Sequence, residues 1–336
     1  MMKVGLLCGR EYSFPPAFLA RVNELGKKEG VTAEFVKLGG TRMEEPPEYR
    51  VIVDRISHEV DYYRGYLKHA VLQGTYVINN PFWWTADDKF FNYSIAAKLG
   101  IAIPKTILLP QKGYPADVDI TSESLRNLKY PMDWVGLLDS VGRPAILKPF
   151  SGGGWKHVYK VNNEEELLEA FDKTSPYCMT LQEFIDFEQY VRCFTFGKSD
   201  ILPVAYDPKE RKYLVEHKYL SDELGARVVK DAQTINLALG YEMNTIEFAV
   251  KDGVPYAIDF LNPAPDFEKD RITEFYFTHV VEKMARLVID RALNGNLANT
   301  WPRWEEMLGI GAPGGFTGAP RVALAAQTAP LGTAAR

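Results

Sequence analysis

Only three cysteines occur in 336 residues, Cys8, Cys178 and Cys193, all in apolar contexts with no spacing pattern. So small and odd a set argues against a disulfide framework or a cysteine-based zinc site and points to a reducing compartment. Positive charge is also short: 39 Lys and Arg against 44 Asp and Glu leave a net charge of −5. That balance argues against broad binding to nucleic acid or to a membrane surface, so an anionic ligand must be met by local lysines. No apolar run approaches the roughly 20 residues of a membrane span. The opening MMKVGLLC carries too short an apolar run for a signal peptide. A cytoplasmic location is the expectation. Two nucleotide fingerprints are missing as well. Gly9 stands alone after the first apolar run, without the Gly-x-Gly-x-x-Gly of a dinucleotide site, which disfavours a nicotinamide dehydrogenase. There is also no Gly-Lys-Ser/Thr phosphate loop.

What is present is ordinary globular material, 46% hydrophobic and 25% charged, long enough for two or three domains. Apolar runs at 4–8, 31–38, 49–56 and 75–78 alternate with helical spacing at 15–26 and 62–72. This alternation predicts a parallel α/β domain over residues 1–105. A helix is expected from Thr85 as N-cap to Leu99, stopped by Gly100. Residues 106–188 and 189–308 are expected to form two further units, and the Gly-, Ala- and Pro-rich stretch 309–336 a flexible tail. In the second unit we expect a short helix at 122–128, strands at 144–150 and 157–161, and a helix opened by the capping box Asn163/Glu166. The third unit reads as a hairpin across Gly197, a helix over 221–239, a second hairpin at 245–262 and a helix over 273–293.

Several segments carry chemistry. In AILKPFSGGG, residues 145–154, Lys148 sits in an apolar strand three residues before Ser151, Gly152, Gly153 and Gly154. Bare amides and one point charge suit phosphate oxygens, and a mobile hairpin tip suits the same residues. Lys89 lies just inside a helix start, where a cation is mildly unfavourable unless an anion is shared. In LQEFIDFE, residues 181–188, an extended edge segment offers backbone groups to a purine and Glu188 to a ribose, or is simply a wet strand. Arg192, in an apolar strand, needs an anionic partner, either a structural ion pair or a bound phosphate.

The hairpin TIEFAVKDGVPYAIDFLNP, residues 245–263, buries two acids in strand-like runs. Glu247 and Asp259, with the amide of Asn262, form a hard oxygen set suited to Mg²⁺. Register decides whether the acids meet. A two-residue turn at Asp252-Gly253 sets Glu247 opposite Ile258 and turns Asp259 to the other face. A three-residue loop, Lys251-Asp252-Gly253, sets Val250 opposite Val254 and returns Asp259 to the face of Glu247. The shared site thus leads us to expect the three-residue loop.

Taken in order, these motifs resemble the ATP-grasp superfamily of carboxylate–amine and carboxylate–thiol ligases over roughly residues 75–295. The resemblance implies an α/β and α+β fold: a parallel N-terminal domain followed by a two-part ATP-grasp unit of antiparallel sheets, with 106–188 as its lid and 189–308 as its metal-bearing half. It implies an enzyme that uses ATP and Mg²⁺, or Mn²⁺, to join a small-molecule carboxylate to an amine or thiol. Lys89 and Lys148 match its phosphate lysines. Ser151, Gly152, Gly153 and Gly154 match the loop closing over the phosphates. Glu183, Phe184 and Ile185 match the adenine-reading linker, and Glu188 the ribose acid. Lys148 and Arg192 match the electrostatic catalysts, and Glu247, Asp259 and Asn262 the metal ligands. One departure stands out: the family's acid-x-Asn ending, with glutamate as the acid, is Asp259-Phe-Leu-Asn262 here. A small-molecule kinase and a non-catalytic nucleotide-binding module stay open, as does a homodimer.

Overall fold

The computed structural model describes residues 1–82, 88–152, 155–215 and 219–310. Thr85, Gly153, Gly154 and most of the C-terminal tail lie outside them. Among the described residues, three four- or five-stranded sheets carry the fold. The first comprises β1 (Met2–Leu7), β2 (Val31–Phe35), β3 (Val51–Asp54) and β4 (Tyr76–Ile78), all parallel, in the order β2-β1-β3-β4. Helices α1 (Phe14–Leu25) and α2 (Asp61–Leu72) cover its two faces. Val51, Ile52 and Val53 are all fully buried, the unbroken apolar run expected of a strand covered on both sides.

After α3 (Lys89–Lys98) the chain builds the small antiparallel sheet. It contains β5 (Thr106–Leu109), β6 (Ala145–Pro149), β7 (Tyr159–Val161) and β8 (Met179–Glu183), in the order β5-β8-β6-β7. Helices α4 (Trp134–Val141) and α5 (Glu164–Asp172) pack on it. The expected helix at 122–128 is instead a series of turns. Helix α4 carries the apolar 134/137/138/141 face and is capped by the Asp133 side chain, which accepts from the Gly136 N–H at 2.9 Å.

The large antiparallel sheet runs β11-β10-β9-β12-β13. Its strands are β9 (Gln189–Phe196), β10 (Asp200–Asp207), β11 (Lys212–Leu214), β12 (Met243–Lys251) and β13 (Val254–Asp259). Alternation divides its faces. Val191, Cys193, Ile246, Phe248 and Val250 pack on α6 (Asp222–Leu239). Phe194, Phe196 and Met243 pack on α7 (Lys269–Asn294), which also covers the parallel sheet. A short helix α8 (Trp304–Met307) closes the described chain.

The hairpin departs from expectation. Lys251 pairs with Val254, so the loop has two residues, and Asp252 (φ 51°) and Gly253 (φ 72°) are both left-handed, as a type I′ turn requires. The three-residue loop is not formed. A β-bulge corrects the register instead: Phe248 pairs with Ala257, Glu247 with Asp259, and Ile258 is the extra residue.

A carboxylate ties the start of α1 to the start of α7. Glu268, 7% exposed, accepts from the N–H groups of Tyr12 (3.2 Å), Ser13 (2.8 Å) and Phe14 (3.3 Å) and from the Ser13 hydroxyl (2.6 Å). It thereby caps α1 from 254 residues away along the chain. The Lys269 N–H returns a 2.9 Å bond to the Ser13 hydroxyl. Glu268→Ala is expected to lower the unfolding free energy by about 2 kcal/mol, the scale of charge-assisted bonds to one buried group. The urea midpoint measures this, and an unchanged midpoint contradicts it.

Candidate functional site

Strand pairing builds the centre of the site. Arg192 on β9 sits opposite Glu247 on β12, and Glu247 opposite Asp259 on β13. Lys89, at the first turn of α3, extends this row from outside the sheet. The charges run plus, minus, minus, plus. The Arg192 guanidinium meets the Glu247 carboxylate at 2.6 Å, with both side chains 17% exposed. The Lys89 amine donates to Asp259 at 2.9 Å and is 6% exposed. The anion needed by a lysine at a helix start is therefore Asp259. The helix itself is capped by Asp88, which accepts from the Phe91 N–H at 3.0 Å. The Lys89 N–H donates to the Phe150 carbonyl at 3.2 Å, fixing the helix to the end of β6.

Lys148 reaches this row from the small sheet. Its amine donates to the Ile258 carbonyl at 3.0 Å and to the Tyr93 hydroxyl at 2.8 Å. Tyr93 donates in turn to the same Ile258 carbonyl at 2.8 Å. Ile258 is the bulge residue, so the two groups meet the carbonyl that the bulge takes out of regular pairing. Burial pulls the Lys148 amine below its ordinary pKa, and Asp259 and Glu247 act against that fall.

The two central acids differ. Burial, the larger effect, pushes the Glu247 carboxyl up. Arg192 opposes the rise, and the neighbouring Asp259 adds to it. Burial would also raise Asp259, but Lys89 and Lys148 override it and hold that carboxyl below its usual range. Tyr190, whose own pKa is raised first by burial and then by Glu247, donates its hydroxyl to Glu247. Arg192 is enclosed by aromatic groups: its guanidinium lies 3.8 Å from the Tyr206 ring centroid and donates to the Tyr213 hydroxyl at 3.1 Å. Its Nε–H is buried without a hydrogen-bond partner and remains available to an acceptor.

The remaining candidates lie around this centre. Ser151 and Gly152 are exposed at the tip of the β6–β7 hairpin, with Gly152 left-handed (φ 81°). At the same tip, the Trp155 ring lies 6.0 Å from the guanidinium of Arg211, which belongs to the β10–β11 hairpin. Trp155 and Arg211 thus bring the two hairpins close to each other. The Glu183 N–H is engaged by the Lys105 carbonyl at 2.8 Å, and its carboxylate accepts from the Lys105 N–H at 3.1 Å. Phe184 lies under the Lys160 amine at 3.8 Å, and Ile185 is buried. Glu188 is exposed beside the Asp252 turn, its N–H held by the Val250 carbonyl at 2.8 Å. Asn262 is exposed, with its N–H donated to Asn244 at 2.9 Å. Among the described residues, no group of three or more His, Cys, Asp or Glu side chains is placed to hold a metal. The candidate set is therefore two carboxylates and an amide. These hard oxygens, with two carboxylates at adjacent positions of one sheet, fit a divalent cation such as Mg²⁺.

Comparison with known proteins bears on this arrangement. No family model matches the chain. A D-alanine–D-alanine ligase of Clostridium botulinum (strain Loch Maree / Type A3) is 27% identical over 182 residues, 46% of this chain and 60% of the ligase. The chain thus matches less than two thirds of that relative's length. A RimK domain ATP-grasp protein of Sphaerobacter thermophilus superposes with a TM-score of 0.62 at 16% identity, over 85% of this chain and 98% of the other. A Bacillus anthracis D-alanine–D-alanine ligase complexed with ATP gives 0.56 at 18% identity, over 87% and 97%. The chain has the ATP-grasp fold.

Within that ATP-grasp fold, sequence reasoning missed the tyrosines. Tyr190 was accessible in principle, two residues from Arg192 and hence on its face of β9. Tyr93 was too, one helical turn from Lys89. Tyr206 and Tyr213 reach Arg192 only through the pairing of β9, β10 and β11, which no local pattern announces. Tyr93→Phe removes one donor to the Ile258 carbonyl and one acceptor from Lys148. It is expected to lower the unfolding free energy by about 1 kcal/mol. A urea midpoint equal to that of the unaltered protein contradicts this.

Proposed function

We propose that the chain is an ATP- and Mg²⁺-dependent ligase. In this reading it activates a small-molecule carboxylate as an acyl-phosphate and joins it to an amine or thiol, releasing ADP and phosphate. The observation that carries the reading is the convergence of Lys89, Lys148 and Arg192 on the Glu247–Asp259 pair, between two antiparallel sheets. Three cations around two carboxylates make a site for polyphosphate and a divalent ion together. The ATP-grasp fold and the ligases that share it support this choice.

Glu247, Asp259 and Asn262 would hold the metal ion, which on binding would neutralise charge on the phosphate oxygens. Lys89 and Lys148 would exchange part of their present contacts for phosphate oxygens. A carboxylate oxygen of the substrate attacks the γ-phosphorus as the bond to the β–γ bridging oxygen breaks, and ADP departs with that electron pair. The amine or thiol then attacks the acyl carbon, the bond to the phosphate oxygen breaks, and the nucleophile loses its proton. Arg192, whose Nε–H has no protein partner, would stabilise the phosphoryl charge without transferring a proton. The Ser151–Gly152 tip and Trp155, meeting Arg211, would cover the site and keep water from the acyl-phosphate. The backbone from Glu183 to Ile185 would read an adenine, and because the Glu183 N–H is engaged by the Lys105 carbonyl, Ile185 would supply that contact.

The test is a screen of carboxylates and amines with Mg-ATP, measuring ADP and phosphate. Lys148→Ala and Asp259→Asn are each expected to reduce ADP formation at least about 100-fold. Turnover unaffected by either substitution overturns the assignment, and release of AMP and pyrophosphate overturns the acyl-phosphate route. A stable phosphorylated product with no ligation would identify a kinase on the same fold.

A further inference from the structure

Beneath the candidate metal site lies a chain of buried amides that the proposed reaction does not use. Asn236 on α6, Thr195 on β9 and Asn244 on β12 are each 0% exposed. The Asn236 amide donates to the Thr195 hydroxyl (2.9 Å) and to the Ala232 carbonyl (2.8 Å). The Asn244 amide donates to Asn236 Oδ1 (3.1 Å) and to the Phe260 carbonyl (2.9 Å). Its Oδ1 accepts from the Asn262 N–H at 2.9 Å. The orientation of the Asn244 amide follows from its partners, since a backbone N–H only donates and a carbonyl only accepts.

Continuing the register from Glu247 and Asp259 would put Asn244 across from Asn262. The Asn244 side chain therefore replaces a backbone partner just where β13 has left the ladder. It clamps Phe260 and Asn262, the two residues flanking Leu261, within Asp259-Phe-Leu-Asn262, which exceeds the acid-x-Asn ending by one residue. Polar groups with zero exposure are tolerated only when fully bonded, and then they specify one geometry. We infer that Asn244 is a positioning residue for the divalent-metal site. It fixes the backbone of Asn262 so that an asparagine displaced by one residue can still supply its side-chain oxygen. The inference rests on Glu247, Asp259 and Asn262 being the metal ligands.

The experiment measures Mn²⁺ affinity by electron paramagnetic resonance of free Mn²⁺, in the presence of a non-hydrolysable ATP analogue. Affinity for the analogue without metal is measured separately. Asn244→Ser is expected to weaken Mn²⁺ binding about 10-fold or more, the usual scale for a residue that orients a ligand. Metal-free analogue affinity is expected to stay within about two-fold. In an Asn262→Ala background, Asn244→Ser is expected to add nothing further, because the effect passes through Asn262. Asn236→Ser, which leaves both Asn244 contacts to Phe260 and Asn262 in place, is expected to keep the Mn²⁺ affinity. Asn244→Thr, better suited to a strand, serves as a second variant if the serine protein does not fold. Unchanged Mn²⁺ affinity in a folded Asn244 variant, additive losses with Asn262→Ala, or loss of the fold in both variants overturns the inference. Failure of the unaltered protein to bind Mn²⁺ with the analogue instead overturns the metal-site reading on which it rests.

Discussion

The β-bulge at Ile258 is the constraint on which the site depends. Without it, the two-residue turn at Asp252-Gly253 would leave Glu247 and Asp259 on opposite faces of the sheet. With it they stand opposite one another, and one backbone carbonyl is released from regular pairing. That carbonyl is met by Lys148 and Tyr93. A single extra residue therefore brings two acids together and also gives Lys148, a half-buried lysine from a different sheet, an anchor at the same place.

The charges around the bulge explain why so many elements converge there. Two adjacent carboxylates, Glu247 enclosed and Asp259 part-exposed, are costly unless cations offset them. Arg192 offsets Glu247 from the neighbouring strand, while Lys89 and Lys148 offset Asp259 from a helix and from the small sheet. The site is thus a junction of three separately built elements, held by electrostatics across their boundaries. Burial lets the junction persist. Helix α7 packs on both the parallel and the large sheet, Glu268 ties the start of α1 to the start of α7, and Asn244 holds the Phe260 and Asn262 backbone to β12.

Much of this was legible in the sequence because it is local. The parallel domain follows from alternating apolar runs, and the helix after Asn163 from its capping box. The glycine-loop hairpin, the long helix before Gly240 and the acidic hairpin were likewise expected near where they occur. Helix α4 was missed although Asp133 and its apolar face were present, because the surrounding 111–142 segment is otherwise irregular. The hairpin is more instructive. Asp-Gly is a strong two-residue turn signal, and the three-residue loop follows only if the ladder is regular, since in a regular ladder it alone joins the two acids. A bulge gave the chain both features. Nothing in the alternation of residues 254–259 marks Ile258 as the bulge, since the reasons for it lie in Lys148 and Tyr93, over a hundred residues away. The tyrosine enclosure of Arg192 and the clamp by Asn244 were hidden for the same reason.

The central claim is that the bulge assembles Glu247 and Asp259 into one divalent-metal site. It is tested most directly by anomalous X-ray diffraction from crystals of the protein grown with Mn²⁺ and a non-hydrolysable ATP analogue. The account predicts a manganese peak bounded by the Glu247 and Asp259 carboxylates, with nucleotide phosphates beside Lys89 and Lys148. A manganese–nucleotide complex bound elsewhere, with Glu247 and Asp259 still held only by Arg192 and Lys89, would contradict it.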